Sequence, residues 1–152
     1  MNREEKWASL PDGPWKDEPN KVQWVDEYSN LDALIVRGPM GALCGYVGVP
    51  KDHSAYGKDY DDLETEFDIS VHGGLTYAAS CQENDPEGIC HVPEPGRPAD
   101  VWWFGFDCSH FMDLTPGMLR YGPGVGNEGV YRDIGYVKAE VTSLAAQIKV
   151  IS

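Results

Sequence analysis

The densest run of hydrophobic positions in this chain extends from Val101 to Phe106 and ends at a carboxylate, Asp107. A run this rich in aromatic residues predicts a buried β-strand. Alternation along the strand places Trp102, Phe104 and Phe106 on one face and Trp103, Gly105 and Asp107 on the other. His110 and Asp113 follow within a few residues. The pattern therefore predicts a strand that delivers a carboxylate and an imidazole into a loop.

Two other apolar runs, residues 31–36 and 42–49, are separated by Arg37-Gly38-Pro39-Met40-Gly41. Two such runs around a glycine and proline turn predict a β-hairpin. Glycines in the second run weaken it as a strand but allow a ligand or another backbone to approach closely. A shorter strand is predicted at residues 22–25.

Residues 67–72 alternate between apolar and polar side chains, which predicts a half-buried strand. Gly73 and Gly74 interrupt the pattern, and a bulge there would present His72 into a cleft. Residues 78–100 and 114–129 are rich in proline or glycine and are predicted to be long loops.

Residues 134–148 carry apolar side chains at helical spacing, with Asp133 as the candidate N-cap. This amphipathic helix is expected to cover one face of the sheet. The predicted fold is α+β, with an antiparallel or mixed sheet of about five strands, one C-terminal helix and long loops. Residues 22–152 form the single domain, and residues 1–21 form an extended arm anchored by Trp7 and Trp15.

The net charge of the chain argues against some classes of function. Twelve basic and twenty-five acidic residues give a net charge of −13, which repels phosphate backbones and argues against nucleic-acid binding. No run approaches the roughly 20 apolar residues of a membrane helix, and the N-terminus lacks the apolar core of a signal peptide. A cytoplasmic location with no membrane partner is expected. The acidity serves solubility, although it also suits an acidic inhibitor that binds a protein.

The four cysteines are predicted to be free thiols, because no C-x-x-C pair occurs and a cytoplasmic chain rarely carries disulfides. Cys81 and Cys90 bracket a loop and could pair only under oxidising conditions. The acidic segment of residues 59–66 lacks the spacing of a calcium loop. Neither a metal nor a cofactor is therefore predicted.

Asp107 is the strongest catalytic candidate, because a carboxylate at the end of an apolar strand must be paired, hydrogen-bonded or exposed at a site. Pairing with His72 or His110 would suit general acid–base chemistry. The alternative is a structural one, in which Asp107 caps the loop by accepting hydrogen bonds from the Ser109 or His110 backbone. Cys108 lies on the apolar side of the strand and is expected to act as a small hydrophobe.

The aromatic and glycine content also permits a nucleotide-like binding site. Aromatic side chains would stack on a flat ring, while a cation, His72 and backbone N–H groups hold a phosphate. The residues assigned to this ligand site are Arg37, Tyr46, Tyr60, Gly73, Gly74 and Trp103.

Three motifs carry a resemblance: Gly41-Ala42-Leu43-Cys44-Gly45-Tyr46-Val47-Gly48-Val49-Pro50, His72-Gly73-Gly74-Leu75-Thr76 and Trp102-Trp103-Phe104-Gly105-Phe106-Asp107-Cys108. With them, the chain resembles a family of small uncharacterised phage, prophage and bacterial proteins. The resemblance implies a single-domain protein that works in the cytoplasm of an infected bacterium, and it carries no catalytic assignment.

The function predicted from these observations is binding of a small molecule, with sequestration of a nucleotide-derived metabolite or immune signal as the specific hypothesis. One alternative is a hydrolase that uses an Asp and His pair on a nucleotide or ester. The other alternative is the acidic protein-binding inhibitor.

Overall fold

A five-stranded antiparallel sheet forms the centre of the protein. The computed structural model describes residues 2–82, 88–121 and 129–151. The strands are β1 (Lys21–Val25), β2 (Asp32–Arg37), β3 (Leu43–Pro50), β4 (Tyr77–Ser80) and β5 (Val101–Asp107), in the spatial order β1-β2-β3-β5-β4. The helices are α1 (Arg3–Ala8), α2 (Tyr60–Phe67) and α3 (Ile134–Lys149), with short 3-10 helices at Pro14–Asp17 and Pro116–Tyr121. The predicted α+β class, the hairpin and the C-terminal helix are confirmed.

Both faces of the sheet are covered, which explains why its inner strands are apolar on both sides. Phe104 and Phe106 of β5 join the larger core under α3. Trp103 points to the opposite face and belongs to a second cluster, which includes Trp7 of α1. The alternation predicted for β5 is therefore confirmed, and each face has its own hydrophobic core.

Glycines in β3 and β5 make room for aromatic rings on the neighbouring strand. Gly45 pairs with Phe106 across the sheet, and a Cβ atom at Gly45 would lie 2.6 Å from both the Phe106 ring and Val141 of α3. Gly105 likewise pairs with Tyr46. The space at these glycines is thus filled by side chains of the protein itself rather than by a ligand.

Helix α3 begins at Asp133, whose side chain accepts a hydrogen bond from the Tyr136 backbone N–H, as expected for an N-cap. Its buried residues lie on one stripe and pack against the sheet: Val137, Val141, Leu144, Ala145 and Ile148. α3 has 16 residues. Within the described parts of the chain, no helix combines the length and apolarity that crossing a membrane requires.

The N-terminal segment is more structured than predicted. Residues 3–8 form α1, and Asn2 caps this helix by accepting a hydrogen bond from Glu5 N. Trp7 and Trp15 are buried, and Trp7 Nε1 donates to the Gly38 carbonyl oxygen at 3.0 Å. The two tryptophans therefore anchor the segment as predicted, but the expectation of an extended arm is wrong.

The prediction of a strand at residues 67–72 is also wrong. Residue 67 ends α2, and Asp68 adopts a left-handed conformation with φ of +53° that stops the helix. The Asp59 side chain accepts a hydrogen bond from Tyr60 N at the start of α2, and Asp61 and Asp62 occupy its first turn, where acidic groups favour the helix dipole. The acidic segment is therefore a short helix.

The long excursion predicted for residues 78–100 contains part of an edge strand, β4, which pairs with β5. A disulfide joins Cys81 to Cys90, so the prediction of four free thiols is wrong for this pair. Cys44 and Cys108 are free. The middle of this excursion, residues 83–87, and part of the second predicted loop, residues 122–128, lie outside the described residues.

Candidate functional site

The chain turns sharply after β5, and Asp107 organises the turn. Its Oδ1 accepts hydrogen bonds from the Ser109 backbone N–H at 3.1 Å and from Ser109 Oγ at 2.8 Å. Its Oδ2 accepts a hydrogen bond from Thr76 Oγ1 at 3.2 Å. The loop-capping role considered for Asp107 is thus present, and the carboxylate stays about a third exposed.

The turn brings His110 back against Asp107. His110 Nε2 lies 3.2 Å from Asp107 Oδ1, which is ion-pair distance, but the two atoms are not aligned as a hydrogen bond. Nε2 is buried and has no hydrogen-bond partner in the described part of the chain. The structure therefore brings together one Asp and His pair that the sequence suggested, and this pair still has hydrogen-bonding capacity.

His72 belongs to a separate, buried network centred on Asp113. His72 Nε2 lies 2.8 Å from Asp113 Oδ2, and Arg132 Nε donates to Asp113 Oδ1 at 2.8 Å. His72 Nδ1 lies 2.7 Å from Tyr136 Oη. Because an ionised carboxylate only accepts, the proton of neutral His72 belongs on Nε2, and Nδ1 accepts from Tyr136. Both ring nitrogens of His72 are thus used within the protein.

Asp113 stays ionised in this network. Its side chain has no exposed surface. Burial alone would raise the pKa of the Asp113 carboxyl, but hydrogen bonds from His72, Arg132 and the His110 backbone outweigh burial and hold that pKa below its ordinary value. The network ties α3 to the loop after β5.

The two networks adjoin each other. The rings of His72 and His110 are edge to face, with centroids 6.2 Å apart. Gly73 has a φ of +69°, and a Cβ atom at Gly73 would overlap the His110 ring. The Gly73 backbone therefore packs on His110 rather than on a ligand. Gly74, with a φ of +80°, faces the Glu64 carboxylate instead.

An open cavity of about 1090 Å³ lies at this end of β5. One wall is the turn between β2 and β3, and the other is the loop from Asp107 to Asp113 together with the following 3-10 helix. The polar side chains of the lining are Asp107, Ser109, His110, Asp113 and Thr115. Most of the lining is apolar and includes Pro39, Met40, Phe111, Met112 and Met118. His72 is not part of the lining.

Two cysteines approach this region, and neither has the character of a nucleophile. Burial, reinforced by the neighbouring Asp107, raises the pKa of the Cys44 thiol to about 11. Burial also raises the pKa of Cys108, which is only 1% exposed. A thiol with a raised pKa is protonated near neutral pH and reacts poorly.

Arg37 lies outside the cavity. Its side chain is 1% exposed, and its guanidinium donates to Asn20 Oδ1 at 2.7 Å and to the Gly41 carbonyl oxygen at 2.8 Å. It also donates to Tyr131 Oη at 2.9 Å and lies 3.5 Å from the Glu18 carboxylate. The assignment of Arg37 to a phosphate is therefore corrected, since its donors already hold the N-terminal segment and the start of α3.

The aromatic residues assigned to the ligand also lie elsewhere. Trp103 is 0% exposed in the second core and cannot stack on a ligand there. Tyr46 is buried on the same face, edge to face with Tyr77. Tyr60 is the first residue of α2 and packs against the larger core. Of the predicted site residues, Asp107 and His110 line the cavity.

Sequence reasoning missed the residues that complete this region. The sequence pattern offers Asp113 as one of the polar side chains that follow the strand, and it assigns no site role to Arg132 or Tyr136. Arg132 and Tyr136 are four residues apart at the start of α3, a spacing that places two side chains on the same face of a helix. This spacing is the one local signal from which their contact could have been predicted. Their meeting with His72 depends on the tertiary fold.

Comparisons with protein-family models, curated proteins and solved structures found no match to this chain. The resemblance to small phage and bacterial proteins therefore stays a prediction. The function must be argued from the geometry of the cavity.

Proposed function

We propose that this chain is a small-molecule-binding protein whose ligand enters the cavity at the end of β5. The observation that carries the proposal is the composition of its wall. An apolar surface with a few convergent polar groups is typical of ligand sites, and here the polar groups include His110 and Asp107, whose side chains are each about a third exposed.

The charges of the wall define the chemical class of the ligand. Among the described residues that line the cavity, none is lysine or arginine, whereas the acidic Asp107 is about a third exposed. The chain as a whole carries a net charge of −13. A dianionic phosphate would be repelled here. The ligand we propose is therefore neutral or cationic, with an apolar or flat body and a polar group that contacts His110 and Asp107.

The absence of a cation among the described lining residues restricts which nucleotide-derived ligands the cavity could bind. A nucleobase or nucleoside fits the proposal, whereas a nucleotide held by its phosphate would need the cation assigned to Arg37, and Arg37 lies elsewhere. If the chain is phage-encoded, as the resemblance implies, the ligand would be a host metabolite or signal of this neutral or cationic class.

Calorimetry with matched ligand pairs tests the proposal. A panel of nucleosides, their 5′-phosphates, cyclic dinucleotides and aromatic amines would be titrated into the purified protein, after mass spectrometry of any co-purified small molecule. We expect binding of at least one neutral or cationic compound and weaker binding of its phosphorylated partner. Preferential binding of the phosphorylated partner, or no binding across the panel and no co-purified molecule, would contradict the proposal.

Two variants locate the site. Phe111 is 93% exposed at the cavity rim, so Phe111→Ala should weaken binding with no effect on folding. Val92 is also exposed, but it lies away from the cavity, so Val92→Ala is the matched control. Equal affinities of the two variants would place the ligand elsewhere.

A second candidate function follows from the Asp107 and His110 pair itself. An imidazole beside a carboxylate on a cavity wall can act as a general base. Ser109 Oγ donates to Asp107 rather than to His110, so the nucleophile in a hydrolase would be water. His110 would take a proton from this water as its oxygen bonds to the ester carbonyl carbon. The carbon–oxygen bond to the alkoxy group would then break, and protonated His110 would give its proton to the departing alkoxide.

Product analysis separates the two functions. A hydrolase would convert a nucleotide or ester substrate, and His110→Ala would abolish turnover with folding intact. A binding protein would return its ligand chemically unchanged. The acidic inhibitor stays a prediction from composition, and it would form a salt-sensitive protein complex that Phe111→Ala leaves unaffected.

A further inference from the structure

On the sheet face opposite α3, three side chains of metal-ligand type lie together. The ligand atoms of Cys81, Cys90 and His91 are all within 4.8 Å of one another. Cys81 follows β4, and residues 89–92 cross this face of the sheet to β1, where Val92 and Gln23 exchange two hydrogen bonds. Hydrogen bonds hold the two segments in place: Gln82 N donates to the Ile89 carbonyl oxygen at 3.2 Å, and the Lys21 side chain donates from Nζ to the Cys90 carbonyl oxygen at 2.9 Å.

The Cys90 and His91 ligand atoms have the spacing of adjacent ligands on a tetrahedral zinc ion, and the two sulfur atoms, bonded to each other in the disulfide, move apart once they are reduced. Cys90 Sγ lies 3.7 Å from His91 Nδ1. Bond lengths of about 2.3 Å for zinc to sulfur and about 2.0 Å for zinc to nitrogen separate adjacent tetrahedral ligands by about 3.5 Å. Cys90 and His91 are therefore already placed as two neighbouring ligands, even though they are consecutive in the chain.

The His91 ring provides an independent observation. His91 is 7% exposed, and its Nε2 is buried with no hydrogen-bond partner among the described residues. Asp32 Oδ2 lies 3.8 Å from this nitrogen, and Asp32 is itself buried. An imidazole that binds a metal through Nδ1 carries its proton on Nε2 and usually donates it to a carboxylate. A shift of about 1 Å would bring His91 and Asp32 to hydrogen-bond distance.

We propose that, when the disulfide is reduced, Cys81, Cys90 and His91 bind one Zn²⁺ ion, with a water molecule as the fourth ligand. A dithiol or phosphine reductant supplies the two electrons that break the sulfur–sulfur bond, and two protons complete the thiols. Zinc then forms two Zn–S bonds as both thiols release their protons. Zinc and the disulfide exclude each other, because both use the same two sulfur atoms. The sequence pattern does not predict this site, because the chain has no C-x-x-C pair and Cys90 and His91 are closer in sequence than the usual zinc ligands.

Cobalt provides a direct test, because Co²⁺ bound to thiolates absorbs strongly. The protein would be reduced with a phosphine, desalted without oxygen and titrated with Co²⁺. We expect saturation at one equivalent, with the charge-transfer bands of thiolate ligands and the intense visible bands of tetrahedral Co²⁺, and displacement by Zn²⁺. Protein with the disulfide intact should show none of these bands. Absence of saturable binding to the reduced protein would overturn the proposal.

Variants identify the ligands. His91→Gln should weaken Zn²⁺ binding at least tenfold, on the order of the loss seen when supporting groups of metal sites are removed. His53→Gln is the matched control, because His53 is half-buried, lies away from the proposed zinc site and contacts the Ile148 carbonyl oxygen. Cys90→Ser should lower the intensity of the charge-transfer bands by about half or more, because Cys81 is then the one thiolate left in the proposed ligand set. Equal zinc affinity of the His91 and His53 variants would contradict the proposed ligand set.

Alkylation of the unmodified chain gives a result even if a variant fails to fold. In the reduced protein, Zn²⁺ should protect Cys81 and Cys90 from iodoacetamide, and peptide mass mapping would locate the protected residues. Equal alkylation of both cysteines with and without Zn²⁺ would refute the site. These measurements use the metal alone, so they are independent of the proposed ligand cavity.

Discussion

Replacing Asp113 by asparagine removes the charge at the centre of the buried network while keeping the size of the side chain. Asp113 accepts hydrogen bonds from His72 Nε2, Arg132 Nε and the His110 backbone N–H, at 2.8 Å, 2.8 Å and 3.1 Å. Asparagine has one acceptor oxygen, so it cannot satisfy all three donors. The change should therefore loosen the connection between the loop after β5 and the start of α3.

The expected loss of stability follows from these bonds. A hydrogen bond to a charged group contributes about 1.5–3 kcal/mol, and breaking a fully buried ion pair costs about 3–5 kcal/mol. The side chains of Arg132 and His72 are 22% and 13% exposed, so water can partly replace their lost partner. We expect Asp113→Asn to lower the free energy of unfolding by about 2–3 kcal/mol near neutral pH.

The loss of stability in Asp113→Asn should become smaller as the pH falls. The pKa of Asp113 in the folded protein is lower than the ordinary value of 3.8. At any pH above that ordinary value, the ionised carboxylate makes its full contribution to stability. This contribution is lost as the pH falls through the pKa of Asp113 in the folded protein. The difference in stability between the parent chain and Asp113→Asn should shrink in acid.

Urea unfolding followed by tryptophan fluorescence, at about pH 7 and about pH 3, measures both effects. Asp100→Asn is the matched control, because Asp100 pairs with Lys51 on the surface and such pairs contribute little. The control should unfold like the parent chain. An Asp113→Asn protein as stable as the parent at neutral pH, or a difference that persists unchanged in acid, would refute the role given to this carboxylate.

Three further predictions concern the core and the disulfide. Leu144→Ala should lower the free energy of unfolding by about 2–5 kcal/mol in chemical denaturation, because Leu144 is 0% exposed under the sheet. Gly45→Ala should cost about 1–3 kcal/mol in the same assay, since its Cβ would lie 2.6 Å from Val141; an unchanged midpoint would show that α3 can move away. Reduction of the Cys81–Cys90 disulfide without metal should cost about 2–3 kcal/mol, from the loop that it closes, and calorimetry should show a lower Tm.

The amino-acid sequence by itself determined the main elements of the fold. The aromatic run predicted β5 and its two faces, the apolar runs around a glycine and proline turn predicted the hairpin, and the helical spacing of apolar residues predicted α3. Each of these signals is local, because burial repeats with the period of the element. Helix α2 escaped detection, since it has eight residues and the residues after it happen to alternate.

Only the tertiary structure decided which polar groups meet. Asp107 and His110 pair across a three-residue turn, a distance at which sequence can suggest a contact. His72, Asp113 and Arg132 come from three separate segments, and their network exists because α3 packs against the loop after β5. Arg37 is a second example of a residue whose partners cannot be predicted from the sequence. A lone arginine suggests an anion site, yet packing surrounds this one with acceptors from distant parts of the chain. A buried charge must find such partners, and where they lie depends on the whole fold.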